Sequence, residues 1–158
     1  MTKEDRKFMR RAIALALEGI DANAGGPFGA VIVKNGKIIA EGYNQVTSQN
    51  DPTAHAEVTA IRKACEKLGS FQLEGCIIYT SCEPCPMCLG AIYWARPQKV
   101  FYALHREDAA KIGFDDQYIY DELGKTMDMR QINFENISRD EALPVFEAWS
   151  QKEGKTDY

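Results

Sequence analysis

Between residues 4 and 22, apolar side chains return every three or four positions: Met9, Ile13, Ala16, Leu17 and Ile20, with Arg and Lys between them. That period predicts an amphipathic helix. Gly25-Gly26-Pro27 ends it. Residues 30–33 and 37–43 then read as strands. They flank Asn35-Gly36, the dipeptide of a type I′ hairpin turn. Asp51-Pro52-Thr53 opens a second helix over about 54–68, with Gly69 where a C-cap glycine belongs. Residues 76–80 form a short apolar run, the mark of a buried strand. A third helix starts at Pro86 or Met87 and stops before Pro97. Residues 99–103 read as another buried strand. Helices follow at 106–124 and 141–152, with a strand at 130–134. The polar end, 153–158, should fray on its own.

The late strands alternate with helices, which implies parallel pairing through crossovers. The expected architecture is α/β: a three-layer α/β/α sandwich on a mixed sheet. The length of 158 residues suits one domain. No repeat, linker or low-complexity stretch divides it, so 1–158 is expected to be a single domain with a tail.

Composition removes some functions. The chain is 45% hydrophobic and 27% charged, as globular rather than disordered chains are. Its net charge is −4. Residues 1–103 hold 12 basic and 10 acidic side chains, and residues 104–158 hold 7 and 13. The last third would therefore repel a phosphate backbone, so no nucleic-acid partner is expected. No apolar run reaches the ~18 residues of a membrane span. The charged N-terminus lacks the apolar stretch of a secretory signal, so a cytoplasmic location is expected. Five cysteines, an odd number, argue against a disulfide framework. Cys65 and Cys76 sit in apolar patterns and read as buried structural thiols.

Three cysteines, Cys82, Cys85 and Cys88, fall within seven residues. Cys85 and Cys88 stand at i and i+3. At a helix start this spacing turns both sulfurs to one side. Pro86 suits the first turn, and the helix N-terminus favours thiolates, the form that binds zinc. His55, at the start of the preceding helix, supplies a third ligand. Three protein ligands plus water is the catalytic zinc pattern, whereas structural sites close with four. Closure by Cys82 or His105 is the structural alternative, and a redox role for the Cys-x-x-Cys pair is another. Glu57, two residues from His55, is placed to move protons without binding the metal.

His-x-Glu followed by Pro-Cys-x-x-Cys is similar to the signature of zinc deaminases of nucleobases. The likeness runs further. Residues 25–33, 50–57, 79–88, Gly-Phe-Asp-Asp at 113–116 and the terminal Tyr158 resemble the small bacterial guanine deaminases of the cytidine-deaminase-like superfamily. The resemblance implies one Zn²⁺ per subunit on His55, Cys85 and Cys88. It also implies hydrolysis of guanine at C2 to xanthine and ammonia, with Glu57 as the proton shuttle. Ala56, through its backbone N–H, would orient the reacting oxygen or the base.

Phe28 is a candidate wall for a flat base. Asn44 can donate and accept at a purine edge. Asp116 matches the family's acid for the guanine amino group. A carboxylate suits the N1–H and N2–H₂ donors, although the spacing alone does not choose between Asp115 and Asp116. Trp94 is left between core packing and stacking. The family also implies a homodimer in which a C-terminal segment, about 140–158, crosses to the partner, so that Tyr158 completes the neighbouring pocket. A tRNA adenosine deaminase shares the motifs but needs a basic surface. Deamination of a cytosine-type base, nucleoside or nucleotide is the remaining enzymatic alternative.

Overall fold

The structure is a computed structural model that describes residues 2–158. The chain divides into two compact units, one ending at Asp116 and one over Gln117–Tyr158.

The first unit runs α1 (Lys3–Asp21), β1 (Gly29–Lys34), β2 (Lys37–Tyr43), α2 (Val46–Gln49), α3 (Ala56–Leu68), β3 (Cys76–Cys82), α4 (Pro86–Ala95), β4 (Lys99–Leu104) and α5 (Arg106–Ala110). The sheet order is β2-β1-β3-β4. β1 is antiparallel to both β2 and β3, and β3 is parallel to β4. The parallel pair is the one joined through a helix, α4, because parallel strands need a crossover. The hairpin forms as its dipeptide demands: Asn35 and Gly36 both take positive φ, 50° and 71°.

The period-2 alternation of the strands builds three layers. Val31, Val33 and Tyr79 pack with Phe8, Ala12 and Leu15 of α1. The intervening Ala30, Ile32 and Ile78 pack with Ala56, Ala60 and Ala64 of α3 and with Ile92 and Ala95 of α4. The fold is thus α/β on a mixed sheet.

Four local expectations are corrected. On α1 the buried stripe is Phe8, Ala12, Leu15, Ala16 and Gly19, while Ile13, Leu17 and Ile20 are exposed. The helix lies so close to β1 that a Cβ on Gly29 would collide with the Ala12 carbonyl oxygen and the Ala16 nitrogen. Ala12 and Ala16 face that closest approach, Phe8 and Leu15 pack in the same layer with Val31, Val33 and Tyr79, and Ile13, Leu17 and Ile20 face away. The helix expected over 106–124 is two helices, α5 and α6 (Gln117–Leu123), separated by a bend in which Gly113 has φ 93°. Residues 130–134 form no strand, since no ladder pairs them. α3 also begins at Ala56 rather than near residue 54. The Asp51 carboxylate accepts the Thr53 N–H at 2.8 Å and holds the preceding turn.

The second unit contains α6, a 3₁₀ turn at Met127–Met129 and α7 (Arg139–Gln151). None of its residues is buried.

Candidate active site

Two helix N-termini meet near the carboxyl end of β3. His55 is the N-cap of α3, and Cys85 is the N-cap of α4, with Pro86 in its first turn. Cys88 lies one turn further on. His55 Nδ1 stands 3.5 Å from the Sγ of Cys85 and 3.5 Å from that of Cys88. The three donor atoms all lie within 4.8 Å of one another. Zinc bonds of about 2.05 Å to nitrogen and 2.3 Å to sulfur, at the tetrahedral angle, separate the two ligand atoms by about 3.5 Å. The donor set therefore fits zinc by chemistry and by spacing.

The three donors also act on one another's protons. The Cys85 thiol is pulled down to about 4, first by its hydrogen bond with Cys88 and then by His55. Cys88 is pushed up, first by that same thiolate and then by burial. The hydrogen bond with Cys85 raises His55. The two helix N-termini add partial positive charge. Neither Cys82 nor His105 joins the set. The Cys82 thiol donates to the His105 carbonyl at 3.7 Å, and His105 groups instead with Glu83 and Glu107 at the surface. The four-protein-ligand arrangement of a structural site is thus not formed among the described residues.

Glu57 occupies the first turn of α3 and is 6% exposed. Its Oε2 lies 3.4 Å from Cys88 Sγ, and its Oε1 accepts from Thr80 Oγ1 at 3.0 Å. Burial raises its pKa. Ala56 is fully buried at the head of α3, where helical N–H groups have no partner within the helix.

A cavity of about 620 Å³ adjoins this set, lined by Gly26, Pro27, Phe28, Asn44, His55 and Phe114 among others. That volume suits a small-molecule site. His55 belongs to both cavity and donor set. Phe28 packs edge-on against Phe114, with ring centroids 5.0 Å apart. Asn44 is buried, and its Oδ1 accepts the backbone N–H groups of Gly26 and Val46, each at 3.1 Å. The amide is thereby fixed, with its oxygen committed to the backbone.

Asp116 is half-buried and Asp115 exposed. Burial, and after it the Cys85 thiolate, raises the Asp116 pKa. Tyr158 is an exposed residue of the second unit. Trp94 is 63% exposed, which removes the core-packing alternative. Spacing singles out neither Phe114 nor Thr80. The bond from Thr80 to Glu57 spans 23 residues, and no local pattern announces it.

The family model described as "Cytidine and deoxycytidylate deaminase zinc-binding region" matches residues 2–104. The chain is 62% identical to the guanine deaminase of Bacillus subtilis over 96% of its own length and 97% of the relative's. The X-ray structure of a Bacillus subtilis guanine deaminase superposes with a TM-score of 0.95 at 59% identity, covering 100% of this chain and 99% of that one. A structure of guanine deaminase from Nitrosomonas europaea gives 0.68 at 34% identity, covering 73% of this chain and 65% of that one. The tRNA-specific adenosine deaminase of Aquifex aeolicus is 48% identical, but only over 49% of this chain and 51% of its own.

Proposed function

Because the chain belongs to the family with the cytidine and deoxycytidylate deaminase zinc-binding region, we propose that it hydrolyses guanine to xanthine and ammonia. The observation that carries the choice of substrate is likeness along the whole chain to a guanine deaminase. The tRNA-specific adenosine deaminases match only part of it, from about half to 72%, at 35–48% identity.

His55, Cys85 and Cys88 would hold one zinc ion. When bound, zinc lowers the pKa of a water molecule and so supplies a nucleophile at neutral pH. Glu57 takes a proton from the attacking water and delivers it to N3 of the ring. It then passes the second proton to the amino group on C2, which leaves as ammonia. Water's two protons thus end on N3 and on ammonia. Burial raises the Glu57 pKa from its ordinary value, the direction that suits a carboxyl asked both to accept and to donate a proton. Phe28 forms a wall for the base, and Asn44 offers it an N–H donor. The N–H of Ala56 orients the reacting oxygen or the base, and the Asp116 carboxylate accepts from the N1–H and N2–H₂ edge. Cytosine and adenine lack that adjacent pair of donors.

The reading extends to assembly. The second unit buries nothing, and α7 exposes Val145, Phe146 and Trp149. Apolar surface of this kind calls for a cover. A homodimer with 140–158 exchanged between subunits supplies one and brings Tyr158 to the neighbouring pocket. Five free thiols suit a reducing, cytoplasmic setting.

The test is a substrate panel of guanine, guanosine, adenine, cytosine, cytidine, deoxycytidylate and tRNA, with ammonia and products identified. Xanthine from guanine alone is expected. Inosine in tRNA, with guanine untouched, would overturn the substrate assignment.

A further inference from the structure

Glu57 is asked to move two protons, and its two oxygens stand in different surroundings. Oε2 faces Cys88 Sγ at 3.4 Å. Oε1 is held by the hydroxyl of Thr80 at 3.0 Å. Thr80 is fully buried. It pairs with Ala30 on β1 and Tyr102 on β4, so its backbone is fixed from both sides. It follows Ile78 by two residues on β3 and therefore shares the face that packs on α3. The strand thus delivers a rigid hydroxyl to the first turn of α3.

Resting on the functional reading above, we propose that Thr80 is a positioning residue for proton transfer, directing the transferred proton to Oε2 by occupying Oε1. The hydroxyl suits both states of the carboxyl. It donates to Oε1 of the carboxylate, and it donates equally to Oε1 as the carbonyl oxygen of the acid. The O–H bond of the protonated form is therefore left to Oε2, the oxygen beside the metal-ligand set. Without Thr80 the carboxyl can rotate and carry its proton on either oxygen. A misplaced general acid–base group gives up part of its 10²–10⁴-fold effect.

The experiment compares Thr80→Val, which keeps the shape and loses the hydroxyl, with Thr80→Ser, which keeps the hydroxyl. Both are made as the full, zinc-loaded chain, and kcat, KM for guanine, Tm and zinc content are measured. Thr80→Val should lower kcat by about 10–10²-fold with little change in KM, Tm or zinc content. Thr80→Ser should recover most of the loss. In a Glu57→Gln background, Thr80→Val should lower the residual single-turnover rate no further, because the two residues act as one. Should Thr80→Val fail to fold, Thr80→Ala against Thr80→Ser gives the same contrast. Unchanged kcat in Thr80→Val, with Glu57→Gln impaired, would overturn the role of Thr80 and leave the function standing. Equal losses in Val and Ser variants would also overturn it. Wild-type turnover in Glu57→Gln would instead remove the assignment of Glu57 itself.

Discussion

Gly42 sets how closely α3 approaches β2, and α3 carries His55 and Glu57 at its head. A Cβ at position 42 would sit 2.5 Å from the Ala56 carbonyl oxygen and 2.9 Å from the Ala60 nitrogen. Both are backbone atoms, so no side-chain rotation relieves the overlap and the helix itself must move. Overpacking of this kind costs typically ~1–3 kcal/mol, and the backbone partners place Gly42→Ala at the upper end. At ~2–4 °C per kcal/mol for a chain of this size, Tm should fall by about 6–12 °C. Turnover measured well below the new Tm should fall as well, because Ala56 adjoins both His55 and Glu57. Gly90→Ala is the control. It lies in α4, where an added Cβ meets nothing within 4 Å, and it should gain up to ~1 kcal/mol of helix propensity. Differential scanning calorimetry and a xanthine assay read both effects. A Gly42→Ala variant that matches the wild type in Tm and turnover would refute the claim that this contact seats the catalytic helix.

Further outcomes follow from the same geometry. Asp116→Asn should lose guanine turnover while keeping zinc, and equal guanine turnover would remove Asp116 from substrate recognition. Arg11 holds the Glu41 carboxylate through bonds of 2.7 Å from Nε and Nη2, which lowers the Glu41 pKa. A folded pKa below the unfolded one contributes stability that is full at neutral pH and lost as pH falls through the folded value. Arg11→Met should therefore narrow the stability difference between pH 7 and pH 3 in urea titrations, and an unchanged difference would deny the coupling. Removing residues 153–158 should cost guanine turnover through loss of Tyr158, and full turnover with unchanged oligomeric state by light scattering would remove Tyr158 from the neighbouring pocket.

The cluster of His55, Cys85 and Cys88 was legible in the sequence because each half of it is local. Cys-Pro-x-Cys writes a helix N-terminus and two thiols into four residues, and His-x-Glu places an imidazole and a carboxylate at one helix start. Asn35-Gly36 was legible for the same reason, since a two-residue turn fixes its own register. The outward face of α1 was not. Apolar spacing shows that the helix has an inward stripe but not which of two adjacent stripes it is, and the one seated against Gly29 carries Ala12, Leu15 and Ala16. Residues 130–134 carry Ile132 and Phe134 at strand spacing, yet a strand needs a partner ladder that pattern alone cannot supply. Asn44 was read as a donor and acceptor for the ligand, whereas two backbone N–H groups, one of them 18 residues away, claim its oxygen. Thr80 escaped notice because its meaning lies wholly in Glu57, on another element.

The most direct measurement compares wild-type and Glu57→Gln chains, each loaded to the same zinc content by elemental analysis, for xanthine and ammonia formed from guanine. The account predicts matched product yields from the wild type and a loss of at least ~10²-fold in the variant with zinc retained. A wild-type chain that holds zinc and leaves guanine unchanged, or a variant that turns it over as fast, would contradict it.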